Sequence, residues 1–580
     1  MNLKLTVVLA ALAASLLPAG SVQMHAATRK AAVIRAAFPD SPFTKDDGHT
    51  CSMLARAKEY MDAQFASRGI TYEFVVPPVV TLERNLSYYA SDGASGRDVM
   101  MYKAVIEACR GSDAAVDFSG TDWDGDGTAD GIIVIAAAMN QADSGTAAPD
   151  NAIWPCQDRL GDHAMQIRLD GTVIDSFAIC TQDDGVGTFC HEFAHLFGLP
   201  DLYDTDGDGS GGLSRGLWKT LSLMDRGRHN CDGTTPPNFS AVEMDFLGLG
   251  SAVDLTEPGS YTLQPLSRKQ EYMRCSGGNG ETILFECRDR NGWDEGSGGA
   301  GMVIYHVDRS TCSAGYSDWF KRTLTALERW DANQVNCRRD SPCASVVEAY
   351  PGGADRMEEI FFPQKSSGVS SFTSANGFYF YATRAPQLAL KDITLNTDGS
   401  VAFNVIRPIT FTSTDIYQDA ALICWTVHES LEPVRECGIA WWQDGEKLQQ
   451  SRTADGYATI EHLEPGKNYI AQVRVIAADG TQYDALTSFR TNVVRSGVPA
   501  YICLTPAERD SRGSFRKGTR IPLRVINAPD AASVVWTLDG KAVSPDDSGW
   551  YTVNEAGELR AEVFHEDGRK EVIVKEIRLQ

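Results

Sequence analysis

The sequence predicts a multidomain chain with a mixed α/β domain in front and all-β domains, mostly sandwiches, behind it. Three observations carry that expectation. The chain has 580 residues, far more than a single core organises, and at roughly 100–200 residues per domain three to five domains are expected. Up to about residue 250, segments of helical period alternate with strand-type apolar runs, as in an α/β domain. From 251 onward short apolar runs recur between Gly, Asp and Ser, which is all-β patterning.

Residues 1–27 read as a secretory signal, with Lys4 as the positive region, an apolar run over 5–17 and a break at Pro18, Ala19 and Gly20. Cleavage is expected between Gly20 and Ala27. The run is too short to span a bilayer as a mature helix, and no other segment is long and apolar enough to do so. The mature protein is therefore expected to be exported and soluble, whether secreted, held at the cell surface or periplasmic. The net charge of −24 argues against nucleic acid or an anionic membrane surface as partner. Fourteen Cys in an exported chain make disulfides an expectation, with Cys337/Cys343 and Cys180/Cys190 as candidate pairs.

The first domain is expected over 28–250. AAVIRAAF (31–38) and GIIVIAAA (131–138) are buried-strand runs, and residues 52–69 and 97–111 are amphipathic helices, the first ending at Gly69. A β-rich region follows over 251–407, with a polar, Cys-containing insertion near 310–345. Residues 408–493 read as a sandwich in which LEPGKNYIAQVRV resembles the corner and following strand of fibronectin type III domains. Residues 494–580 read as an immunoglobulin-like sandwich with Trp536 as its core aromatic.

The chemistry is concentrated in GVGTFCHEFAHLFGLPD (185–201). Residues four apart on a helix share a face, so His191 and His195 can present imidazole nitrogens to one ion. Glu192 borders the same site and can take a proton from a water activated there. Gly198 ends the helix through a left-handed residue and Pro200 prevents its continuing. Asp201 then returns as an oxygen donor. Two His, one carboxylate and a water make an open catalytic zinc site rather than a closed structural one. Glu243 in SAVEMD is a rival third ligand. SLMD (222–225) places Met224 as a candidate Met-turn, the hydrophobic floor beneath the metal in metzincins. Tyr203, Arg226 and His229 are near enough in sequence to serve as oxyanion donors, with no basis for choosing among them.

The chain resembles the immune inhibitor A family of secreted bacterial zinc metallopeptidases. The resemblance rests on AAVIRAAFPDSPF (31–43), SYYASDG (87–93), DWDGDGTADGIIVIAAA (122–138), AIWP (152–155), HEFAHLFGLPDLYD (191–204), SLMD, PPNFSAVEMDFLGLG (236–250) and GMVIYHVD (301–308), in the family's order. It implies a zincin/metzincin-like domain that cleaves protein or peptide substrates, with His191, His195 and Asp201 as zinc ligands, Glu192 as base and Met224 as the turn residue. Strand-like AAVIRAAF follows the signal almost directly, where family members often carry a propeptide. After AIWP the family tends to have His; this chain has Cys156.

Two further readings remain. DWDGDGTAD (122–130) puts Asp122, Asp124, Asp126 and Asp130 at positions 1, 3, 5 and 9 of a calcium loop, with Ile133 where a closing Glu would stand. A plain Asp/Gly turn into the next strand is the alternative. DTDGDGSGG (204–212) is a weaker version, through Asp204, Asp206 and Asp208. The tail sandwiches leave room for a surface adhesin with an inert peptidase domain, Trp441 and Trp442 forming a sugar-stacking patch, or one of them core and the other partly exposed.

Overall fold

The computed structural model describes residues 27–93, 97–144, 152–207, 216–217, 219–311, 316–317, 323–349, 360–364, 367–381, 387–443, 446–452, 456–461, 463–493, 499–504, 514–528, 530–546 and 549–580. The expected signal, but for Ala27, lies outside them, as does Asp208. The chain forms two compact units, Met1–Pro200 with Thr220–Ser251, and Asp201–Lys219 with Ala252–Gln580.

The first unit is built on a mixed sheet. Strand Ala27–Ala37 runs parallel to Ile70–Val75, Val80–Thr81 and Ile132–Ala136. Ile132–Ala136 runs parallel to Ser176–Thr181, and the edge strand Cys156–Arg159 is antiparallel to Ser176–Thr181. The two central strands lack alternation because both faces are covered: Ala31–Ile34 and Ile132–Val134 are all at 0% exposure. Helix Met101–Ser112 joins one face, in a core with Ile34, Ala36, Val134 and Ile179. Helix Asp47–Gln64 and helix Val186–His195 pair with each other, the Cys190 thiol lying 3.9 Å from the Ala57 carbonyl.

The second unit is β-structure. Five strands in the order Ala344–Val347, Gly301–Asp308, Glu281–Arg288, Glu271–Ser276, Ser251–Asp254 form one sheet. Arg288 is fully buried there, its Nε 2.7 Å from Glu286 and its other arm on Asp294. The polar insertion holds helix Ala326–Asp331, closed by a capping box between Thr325 and Glu328. A sandwich follows. Strands Ile409–Ile416, Ala421–Val427 and Tyr457–Ile460 face a second sheet of Glu446–Arg452, Val434–Gln443, Asn468–Ala477 and Gln482–Arg490. The Tyr469 hydroxyl accepts the Glu464 amide at 2.8 Å, a tyrosine corner that pins the entry to its strand. Trp536 lies in the core of the last β-region.

The expected disulfides are not formed: the thirteen described cysteines carry free thiols. Closeness in sequence did not bring the candidate pairs to bonding positions. Cys180 lies within strand Ser176–Thr181 opposite Ile135, whereas Cys190 faces the neighbouring helix. Cys337 meets the Thr205 hydroxyl at 3.0 Å.

Candidate metal centre

Helix Val186–His195 is buried over nearly its whole surface, which explains its apolar sequence. Phe193 points into an aromatic layer, with ring centroids 5.3 Å from Tyr72, 5.6 Å from Phe74 and 5.2 Å from Phe197. Gly187 is required by a close approach: a Cβ there would come 1.8 Å from the Arg228 carbonyl oxygen. The helix thereby lies directly on turn Arg226–His229, which follows SLMD. Beyond His195 the chain turns, the Gly198 amide donating to His195 and Gly198 taking φ +83°.

His191, Glu192 and His195 come together, with one ligand atom from each lying within 4.8 Å of the others. The Nδ1 of His191 donates to the Leu223 carbonyl at 2.9 Å, and that of His195 donates to the Leu199 carbonyl at 2.7 Å. A carbonyl only accepts, so each Nδ1 carries the proton and each Nε2 keeps a lone pair for an ion. His191 Nε2 is 3.9 Å from Glu192 Oε1. His191 and Glu192 are 2% and 5% exposed. This donor set, with its tautomers fixed from behind, fits a borderline first-row ion.

The other predicted residues fall as follows. Met224 is fully buried in a turn closed by the Asp225 amide on the Ser222 carbonyl, next to the Leu223 carbonyl that fixes His191. Glu243 is also fully buried. Its Oε1 accepts the Ser222 hydroxyl at 2.7 Å and the Met224 amide at 2.9 Å, and its Oε2 accepts the Ser240 amide at 2.5 Å. It caps helix Ala241–Leu247 and ties down the methionine turn, and burial pushes its carboxyl pKa up. Asp201 belongs to the second unit, where its amide donates to the Asn333 side chain at 2.6 Å and its Oδ2 accepts from it at 2.9 Å. Arg226 and His229 are exposed, and Tyr203 is half-buried in the second unit.

In the acidic loop, Asp122, Asp124 and Asp130 gather with ligand atoms within 4.8 Å of one another. Asp126 stands outside this group and accepts the Thr128 amide at 2.7 Å. Gly125 and Gly127 take φ +79° and +88°, a path that other residues rarely follow. Burial and the three neighbouring Asp raise the Asp130 carboxyl. In the second unit Asp204 and Asp206 are joined by Cys337.

Sequence reasoning missed the groups that act from behind. The Leu199 and Leu223 carbonyls belong to the backbone and leave no side-chain signature. Cys156 and Asp98 were legible only as a departure from a family pattern and as part of a helix. The Cys156 thiol is held well above its usual range by burial and then by the Glu192 carboxylate.

The first unit thus combines a mostly parallel sheet with an antiparallel edge, a two-histidine helix and a buried methionine turn. Residues 35–251 match the family model described as immune inhibitor A peptidase M6, catalytic domain. Through these residues the chain is similar to the immune inhibitor A peptidases. A relative, Immune inhibitor A of Bacillus thuringiensis subsp. alesti, is 28% identical over 244 residues, which cover 36% of this chain and 34% of that protein. The chain thus spans about a third of the length of the curated relative it matches. Among solved structures, one titled "Myokine structure" aligns at 22% identity over 15% of this chain and 95% of its own, with a TM-score of 0.14. A computationally redesigned β-sandwich protein aligns at 14% identity over 16% of this chain and 92% of its own, with a TM-score of 0.13. No helix among the described residues is long and apolar enough to cross a membrane.

Proposed function

We propose that the first unit is a zincin/metzincin-like, zinc-dependent endopeptidase acting on proteins outside the cytoplasm. The observation that carries this reading is the paired orientation of His191 and His195, each Nδ1–H given to a backbone carbonyl and each Nε2 left as a donor. His191 and His195 hold the zinc, and the family resemblance supplies Asp201 as third ligand. When bound, the ion supplies Lewis acidity towards the scissile carbonyl and the attacking water. Glu192 is the general base, taking the water proton and returning it to the leaving nitrogen. The low exposure of Glu192 and His191 keeps bulk water from competing for that proton. Met224 and Glu243 hold the floor under His191. The acidic loop is a calcium site formed by Asp122, Asp124 and Asp130.

Casein hydrolysis by the purified chain tests the reading. Activity should vanish with a zinc chelator and return with added zinc, and Glu192→Gln should lower it by roughly 10²–10⁴-fold. A variant retaining activity within a few-fold of the parent would remove Glu192 from the reaction. An adhesin with an inert domain is the weaker reading, because the histidine–glutamate set is intact and its tautomers are fixed.

A further inference from the structure

We propose that the outer face of the sandwich's four-stranded sheet is a binding site for a neutral oligosaccharide, with Trp442 as its stacking platform. The site lies wholly within the second unit and does not rest on the peptidase reading.

The register places its residues. Trp442 pairs with Ile470, and Ile470 pairs with Ser488, so the three form a row across strands Val434–Gln443, Asn468–Ala477 and Gln482–Arg490. The next row on the same face is Ala440, Gln472 and Leu486. Their sequence neighbours Trp441, Ala471 and Phe489 point the other way, into the sandwich core. Trp441 is 5% exposed, whereas Trp442 is half-exposed and Ile470 is 47% exposed. Ser374, Phe378, Tyr379 and Gln387 border this face, and between them and the sheet lies an open cavity of about 990 Å³, which Trp442, Ile470, Gln472 and Asn468 also line. That is at the upper end of small-ligand sites, with room for several sugar rings.

The chemistry selects the ligand. An indole beside an isoleucine offers a flat apolar strip to the C–H faces of sugar rings, and amides and a phenol around it offer both donors and acceptors to hydroxyls. The two charged groups in the lining already have partners. Asp484 accepts from Arg474 at 2.7 Å and from Gln482 at 2.8 Å, and Arg490 donates to the Gly466 carbonyl at 3.1 Å. A ligand therefore gains little by carrying charge, and an acidic one meets a chain of net charge −24. A peptide adding as a further strand is also disfavoured, because the edge of Gln482–Arg490 is taken. The Asp484 amide donates to the Ser374 hydroxyl at 2.9 Å, the Gln482 carbonyl accepts from Thr373 at 3.0 Å and the Leu486 carbonyl accepts from Gln387 at 2.6 Å.

The test is titration of the full chain, carrying Glu192→Gln to prevent self-cleavage, with neutral hexasaccharides of β-1,4-glucose, β-1,3-glucose, β-1,4-xylose, β-1,4-N-acetylglucosamine and α-mannose. Binding is followed by tryptophan fluorescence and calorimetry. At least one should bind at about millimolar concentration or below. Trp442→Ala should weaken it by about tenfold or more, Trp442→Phe should keep most of the affinity, and Gln472→Ala should weaken it independently should the first variant fold poorly. No binding by any of the five at about 10 mM, or affinity unchanged in both Trp442→Ala and Gln472→Ala, overturns the proposal. So does a neutral decapeptide that binds and is lost with Trp442→Ala while the sugars do not bind, since the face would then be a peptide site.

Discussion

Asp98 has φ 46° and is 7% exposed, and its Oδ2 accepts the Trp154 amide at 2.8 Å while Arg97 lies 3.7 Å over the Trp154 ring. Burial pushes its carboxyl pKa up to about 6. A carboxyl raised in the folded state stabilises the fold below its unfolded pKa and loses that contribution as pH rises through the folded value. Between about pH 4 and 6 the parent should therefore lose roughly 2–3 kcal/mol relative to Asp98→Asn, which has no such proton to release. Urea unfolding of both proteins across that range reads the difference, and a gap that does not change with pH would remove Asp98 as its source. Glu243 and Asp201 differ in kind. Glu243 has both carboxylate oxygens occupied by the turn and the cap, so Glu243→Gln should cost about 1–3 kcal/mol of stability and leave zinc stoichiometry near one. Asp201→Ala should lower zinc affinity instead. Metal analysis after dialysis separates the two, and loss of zinc from Glu243→Gln alone would reverse the assignment.

At the scale of elements, periodicity located the pieces and local polar chemistry set their limits. The helix expected over 52–69 occupies Asp47–Gln64, because Asp46 accepts the His49 amide at 2.8 Å and starts it early. The stretch Ala66–Arg68 becomes a 3-10 turn closed by Gly69 at φ +64°. The helix expected from 97 begins at Met101, after the left-handed Asp98. The HExxH helix was legible because its spacing is itself the site geometry; the carbonyls behind it were not, since any residue supplies one. The acidic loop falls between these cases. Its Asp spacing was legible, but Asp126 turns to the backbone. Trp123 of this loop stacks on Phe197 at 5.4 Å, and Phe197 packs on Phe193 of helix Val186–His195. An ion that relieves repulsion among Asp122, Asp124 and Asp130 would therefore firm the helix's support. Millimolar calcium should raise the melting temperature by roughly 2–4 °C for each kcal/mol of binding. Asp124→Asn is the informative variant, because Asp122 also accepts the Gly125 and Gly127 amides and would disturb the turn itself. Calorimetry with calcium and with a chelator should show the increment in the parent and not in the variant; an equal increment in both would place the ion elsewhere.

Across the whole molecule, the composition shift at 251 suggested a boundary and the regular spacing of strands suggested separate sandwiches. Within the second unit the β-region and the first sandwich meet through buried surface. Ala389 and Ile406 share a core with Leu431, Ala477 and Tyr483, which lie in the sandwich and are each at most 6% exposed. Such a seam cannot be read from sequence, because each residue in it also suits the interior of its own sheet. The hydrogen bonds from Thr373, Ser374 and Gln387 to strand Gln482–Arg490 run alongside it. The junction with the last β-region is more polar. Among the described residues its contacts include Arg520 to the Tyr457 hydroxyl at 2.6 Å, Gln418 to Asn527 at 2.7 Å, an ion pair of Arg524 with the exposed Asp419 at 3.3 Å and a ring contact of Tyr457 with Trp550 at 5.3 Å. Ion pairs of that kind contribute about 0–1 kcal/mol each. Burial of several apolar side chains contributes about 1.5–3 kcal/mol for each large one. The two junctions therefore predict different outcomes for shortened chains. A chain ending at 493 keeps the apolar seam, and the melting of its β-region should shift by only a degree or two. A chain ending at 407 strips the cover from Ala389 and Ile406, and its β-region should melt several degrees lower and associate on concentration. Calorimetry and light scattering on the two shortened chains beside the full one decide the matter. Equal behaviour of the 407 and 493 chains would mean that the seam adds nothing to the stability of the β-region.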